Sequence, residues 1–184
     1  NNKIHNVLQN LDGGTPHTQY INVSQYRNFN ITTTNSLKLN SLELSAGASF
    51  VWISQRIDTE RFKTDSRYLL NINANASASY NIKAWDCAFS AYYKFVGKSQ
   101  MWLMSGTGYV IGDLDPYGWL DISAQKRFLQ KRLELSLGAR NLLNTIDVSL
   151  TQTPLQGQPI RLNYPLGYGR SFYAKLTYNL VVNR

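Results

Sequence analysis

Between Leu70 and Ile82 the chain runs L-N-I-N-A-N-A-S-A-S-Y-N-I, an almost unbroken alternation. Every even-numbered position there is apolar or aromatic, and every odd one is Asn or Ser. A period of two is that of a β-strand, with one greasy face and one face of small polar groups. Strands of soluble domains average ~5–6 residues, whereas ~9–11 tilted residues cross a bilayer. This segment is long enough to cross. Its polar face carries almost no bulk or charge, which suits the wall of a wet or plugged lumen. These residues predict the wall of an antiparallel transmembrane β-barrel.

Composition is compatible. No window approaches the ~18 consecutive apolar residues of a membrane helix, and mean hydropathy is negative. A barrel gives that value because lumen-facing polar residues dilute the lipid-facing ones. Twelve Tyr, seven Phe and four Trp in 184 residues are enough for aromatic girdles at the two interfaces. The alternative, a soluble all-β protein with an aromatic core, calls for shorter strands with more Gly and Pro between them.

The formal charge of +8 comes from scattered residues, with no pairing of Lys/Arg and aromatics into a nucleic-acid platform. A basic lumen, or an outer face meeting anionic lipid, accounts for it better, and no nucleic-acid partner is expected. Cys87 is the only cysteine, so no disulfide framework or thiolate metal site can form. His5 and His17 lack a partner at ligand spacing and read as loop or solvated residues. No metal and no cofactor are expected. The chain begins without Met or a signal peptide and opens within a strand, Lys3 to Leu11, which is expected of a mature form or an internal piece.

Alternation along the chain predicts eight strands. They are Asn2–Leu11, Thr18–Asn35, Leu42 to Trp52, Arg67–Ile82, Cys87 to about Met104, Leu120–Phe128, Leu133–Asn144 and Arg170–Val182. Leu70, Ile72, Ala74, Ala76, Phe89, Tyr93, Leu135, Leu137, Phe172, Leu176 and Tyr178 are expected to face lipid. Asn73, Asn75, Ser77, Asp121, Arg140 and Lys175 are expected to face the lumen. The strands should be antiparallel neighbours in sequence order, with no helix beyond two turns. Tight connections at Asn35–Asn40, Ile82–Trp85 and Gln130–Arg132 alternate with longer ones at Asp12–His17, Gln55–Ser66, Ser105–Pro116 and Thr145–Tyr168. Outer-membrane barrels pair short periplasmic turns with long extracellular loops, which places the C-terminus in the periplasm.

Two stretches carry a resemblance. LDISAQKRFLQKRLELSLGARNLLN, Leu120–Asn144, resembles the penultimate hairpin of TonB-dependent receptors of Gram-negative outer membranes, closing in Asn141-Leu142-Leu143-Asn144. Gly169-Arg170-Ser171-Phe172-Tyr173 through Tyr178 is similar to the last strand of that family. The resemblance covers roughly the last third of the chain. Two features depart from it: the chain runs past Tyr178 to Arg184, and nothing resembles the N-terminal plug or the TonB-contacting segment. The resemblance implies that residues 1–184 are C-terminal strands of a 22-stranded barrel whose plug is not present in this chain.

It further implies active import of a scarce nutrient (an iron chelate, haem, cobalamin or an oligomer) with energy delivered through TonB. The implied partners are outer-membrane lipid, the TonB complex acting through the missing plug, and the substrate, with a surface lipoprotein as a further candidate. Substrate would meet the extracellular loops and lumen, where Arg56, Tyr109, Asp113, Tyr117, Arg140, Arg161 and Tyr164 are the candidate contacts; Asp58, Arg61 and Asp115 share those loops. Arg and aromatic side chains are frequent binding anchors.

Two other classes compete. A self-contained eight-stranded barrel, serving as adhesin, anchor or small porin, needs large side chains to fill its interior. Asn71, Asn73, Ser77, Ser79, Ser45 and Ser49 are too small for that, although Glu43, Lys94, Asp121, Arg127, Glu134, Arg140 and Lys175 do point inward. An enzyme would need a Ser/His/Asp order, an HExxH run or a phosphate-cradling glycine loop, none of which is present. Asp113 and Asp115, two residues apart, read as turn-formers that bond local backbone. No catalytic residue is expected.

Overall fold

The computed structural model describes residues 3–9, 17–58, 63–105, 108–152 and 158–180. Over these residues the chain forms thirteen β-strands in two sheets and a single 3₁₀ turn. The seven-stranded sheet contains the long alternating segments. Its strands are β3 (Gln25–Leu39), β4 (Leu42–Arg56), β5 (Tyr68–Ile82), β6 (Cys87–Val96), β9 (Tyr117–Phe128), β10 (Leu133–Arg140) and β13 (Ser171–Tyr178). They lie side by side in that order, and every pair is antiparallel.

Register turns the one-dimensional alternation into two faces. Leu37, Leu44, Ala78, Ala91, Ile122, Ala139 and Phe172 are successive cross-strand partners and make one apolar row across all seven strands. One residue along, Lys38, Glu43, Ser79, Ser90, Ser123, Gly138 and Tyr173 make the matching polar row. Slipping a strand by one residue would turn its polar phase to the apolar side, as with the Asn and Ser residues of β5, so the pattern itself enforces the register. Each residue expected on the lipid side falls in the apolar phase of these ladders, and each expected lumen residue in the polar phase.

The tight turns close on short polar side chains in left-handed backbone. Asn40 turns β3 into β4 with φ 46°, and Asp86 ends the Lys83–Trp85 3₁₀ turn with φ 49°. Asn and Asp tolerate this region better than other residues with a Cβ. The β9–β10 turn has no such residue. Leu129, Gln130 and Lys131 are all left-handed there, with φ 51°, 54° and 70°.

The second sheet corrects the eight-strand reading. It comprises β1 (Lys3–Gln9), β2 (His17–Val23), β7 (Ser99–Ser105), β8 (Gly108–Leu114), β11 (Asp147–Gln152) and β12 (Ile160–Pro165), in the order β12-β11-β8-β7-β1-β2. The expected loops Ser105–Pro116 and Thr145–Tyr168 therefore hold strands. They are hairpins that continue the wall beyond breaks at Gly97-Lys98, Asp115-Pro116, 141–146 and 166–170. The expected tight turn Asn35–Asn40 is shorter than read, because β3 continues to Leu39. His5 and His17 lie in β1 and β2 rather than in loops. The expectation of antiparallel neighbours in sequence order fails at one place: β1 pairs in parallel with β7 through Leu8↔Leu103 and Gln9↔Met104. Both strands run in the same direction away from the tight turns, so docking the β1–β2 hairpin there makes a parallel contact.

Apolar packing concentrates in this extension. Leu103, Val110, Leu114, Val148 and Leu150 form one buried cluster, and Ile57, Leu69 and Trp102 another. Among the described residues the seven-stranded sheet does not close on itself: β3 and β13 are its edges, and β13 pairs only with β10.

Candidate functional site

The Asn141-Leu142-Leu143-Asn144 motif and the Gly169-Arg170 pair form one junction, where the long wall passes into the extension. Asn141 is buried, with left-handed φ of 50°. Its backbone N–H donates to Asp121 Oδ1 at 2.8 Å, and its side-chain Nδ2 donates to the carbonyls of Thr145 (2.9 Å) and Tyr168 (3.1 Å). Its Oδ1 accepts from Thr145 N–H at 3.0 Å. Asn144 Oδ1 accepts from Arg170 N–H at 3.0 Å, and the Arg170 guanidinium donates to Leu142 O at 2.9 Å. Thr145 Oγ1 donates to Gly118 O at 2.8 Å. Three adjacent strands are thus tied at the point where the ladders stop, and backbone groups left by the break gain partners.

Beside this junction, the polar face carries charged and aromatic side chains amid small ones. Arg140 lies with its guanidinium 5.4 Å from the Tyr173 ring centroid, and Lys94 with its ammonium 5.4 Å from that of Trp119. Cations over aromatic faces hold at these separations. Gly138 makes room for the first pair, since a Cβ there would meet Tyr173 ring carbons at 2.5 Å. A hollow of about 420 Å³ is lined by Ser77, Ser90, Tyr92, Asp121, Arg140 and Tyr173. A smaller one of about 250 Å³ adjoins it, bordered by Lys94, Trp119 and Tyr168. Asp121 Oδ1 accepts from the Asn141 N–H, so the hollow offers a solute two cations, aromatic rings and the second oxygen of this carboxylate.

The candidate contacts from the sequence are not brought together. Arg140 alone among them lines the hollow. Arg56, at the end of β4, donates to Asp58 Oδ2 at 3.1 Å, and Asp58 also meets Lys63 at 3.6 Å. Asp113 lies within β8 and not in a turn. Its carboxylate accepts from Gln100 Nε2 at 2.7 Å and pairs with Lys98 at 3.2 Å, so it bridges to the neighbouring strand rather than to local backbone. Asp115 lies at the β8–β9 break, where its N–H donates to Ser149 O at 2.9 Å. Tyr117 and Tyr164 pack on the Leu103–Leu150 cluster, and Tyr109 on the Trp102 cluster, where burial pushes its phenol pKa up. Arg161 is exposed on β12. Arg61 lies outside the described residues.

Tyr92, Lys94, Trp119, Asp121, Tyr168 and Tyr173 are the hollow residues missing from the sequence-derived candidates. For all but Tyr168, which lies in the 166–170 break, the signal was in the alternation: bulky or charged residues in the polar phase of wall strands. Among the described residues, no group of three or more His, Cys, Asp or Glu is arranged to hold a metal.

No curated protein and no solved structure matches the chain. A family model does, over residues 1–178. That span contains every strand above, with the apolar outer face and polar inner face that a bilayer-crossing wall needs. The chain belongs to the outer membrane protein β-barrel family.

Proposed function

We propose that the chain is part of an outer-membrane active transporter that imports a scarce nutrient with TonB-coupled energy. The observation that carries this reading is the open seven-stranded sheet. The outer edges of β3 and β13 are unpaired among the described residues, and a bilayer does not tolerate unpaired strand edges. A wider barrel in which further strands complete both edges removes that penalty. The polar row of Ser79, Ser90 and Ser123 suits a wide lumen as well, because such side chains cannot fill a narrow one.

On this reading, the tight turns and the C-terminus are periplasmic and the hairpins β7–β8 and β11–β12 are extracellular. Arg140 and Lys94, fixed over their rings, present positive charge to solute passing along the wall. The resemblance of Leu120–Asn144 and of the last strand to TonB-dependent receptors supports energised rather than passive passage.

The test is uptake by cells with and without the intact gene, supplied in turn with iron chelates, haem, cobalamin and oligomers. Gene-dependent uptake of one of them, abolished by a protonophore or by loss of TonB, is expected. Uptake that survives a collapsed proton-motive force would assign a passive porin instead. An intact natural protein close to the 20.9 kDa of this chain would favour the self-contained barrel.

A further inference from the structure

Lys126 breaks the rule of the apolar face. It lies in the same phase as Ile122 and Ala124, with Cys87 and Leu135 as its cross-strand partners. A lysine among lipid-facing residues is expensive unless its stem reaches toward the interface. Its ammonium donates to Trp85 O at 2.8 Å, in the 3₁₀ turn at the tight-turn end, and lies 5.5 Å from the Phe128 ring centroid. Neither partner neutralises the charge. The nearby carboxylate of Asp86 is 3.9 Å from Arg127 instead. Among the described residues, Lys126, Lys83, Lys131 and Arg132 at this rim form no ion pair.

One row further from the turns, a groove of about 610 Å³ opens on the same face. Ala91, Ala124 and Ala139 are its small apolar lining side chains, set among the larger Phe89, Ile122, Leu137 and Phe172. Small residues between large ones leave a channel running along the wall, and Lys126 lies at its turn-side end, one row below Ala124.

We infer that this groove and Lys126 form a binding site for one anionic phospholipid. An acyl chain occupies the alanine-lined groove, and the headgroup phosphate accepts from the Lys126 ammonium, with Lys83 adding to the local positive potential. The apolar groove and the unneutralised cation are complementary to the two ends of such a lipid, and net negative charge on the headgroup strengthens the attraction. The choice of phospholipid over lipid A rests on the periplasmic orientation proposed above for this end; the groove and the cation do not depend on the transport reading.

Native mass spectrometry of the folded, detergent-solubilised natural protein tests this, with dioleoyl phosphatidylglycerol, dioleoyl phosphatidylcholine and lipid A supplied at equal concentration. Phosphatidylglycerol should be retained preferentially. Lys126→Gln should lower that preference about fivefold, the contribution of one cation at a membrane surface, and Lys126→Arg should restore it. Lys175→Gln, which removes the same charge from the opposite face, should leave it unchanged. Ala124→Trp, which fills the groove, should reduce retention of both phospholipids. Millimolar inorganic phosphate should not compete, because it lacks the chain. An unchanged preference in Lys126→Gln, an equal loss in Lys175→Gln, or stronger retention of lipid A than of phosphatidylglycerol would overturn the assignment. A folding-dependent gel shift confirms that each variant is native before its lipids are counted.

Discussion

Asn141 offers the sharpest test of how the wall is held together. Replacing it by Ala removes three side-chain hydrogen bonds, two to carbonyls and one from the Thr145 N–H. Each contributes about 1 kcal/mol net, and a buried group left unpaired costs about 1–3 kcal/mol more. Thr145 O keeps a long bond from Trp119 Nε1 at 3.4 Å, which lessens the loss at that carbonyl. The left-handed φ of 50° adds a backbone term of about 1 kcal/mol for Ala that Asn bears more easily. The expected destabilisation of Asn141→Ala is therefore about 3–5 kcal/mol. Asn141→Gly loses the same bonds without the steric term and should be milder by about 1 kcal/mol. Reversible urea unfolding in lipid vesicles, followed by tryptophan fluorescence, measures both. If Ala and Gly are equally destabilising and both fall below about 1 kcal/mol, the junction does not hold the strands and the argument fails.

Further predictions follow from the two faces and the turns. Ala76→Arg, mid-strand on the apolar face, should cost about 2–4 kcal/mol in the same unfolding assay, and Ser77→Arg on the polar face much less; equal costs would mean that the faces are misassigned. Gln130→Gly should stabilise the β9–β10 hairpin by about 1 kcal/mol, since glycine adopts its φ of 54° without a Cβ clash, and a loss of stability would count against the left-handed turn. Gly138→Ala should push Tyr173 off its place, destabilising by about 1–3 kcal/mol and altering the exposure of that tyrosine to a soluble quencher; an unperturbed Tyr173 would show that no close approach exists.

Much of the wall was legible in the chain because a bilayer imposes a strict period. The alternation of Leu70–Ile82, and of Phe89, Ala91 and Tyr93 against Ser90 and Tyr92, assigns each residue a side without knowledge of its neighbours. Membership of the outer membrane β-barrel family accords with that reading. The extension was not legible, because its strands of six or seven residues lack the long alternation of the wall. In Gly108–Leu114 and Ile160–Pro165, Gly112 and Pro165 look like loop residues, although the first lies within a strand and the second ends one. Only the packed cluster of Leu103, Val110, Leu114, Val148 and Leu150 makes strands of these segments.

The same division applies to the site. Arg and Tyr residues in apparent loops were natural candidates by type, yet Tyr117 and Tyr164 serve the core of the extension, while Arg56 and Asp113 are taken by ion pairs. Side-chain type marks what a residue can bind. Tertiary register decides which residues share a surface, because it takes the three pairings β6–β9, β9–β10 and β10–β13 to set Tyr92, Asp121, Arg140 and Tyr173 on one polar face and to put Lys126 beside an apolar groove on the other. The period of two is local and survives in any piece of sequence; the assembly of those faces depends on contacts between residues far apart in the chain, such as Asn141 with Tyr168, which only the folded chain brings together.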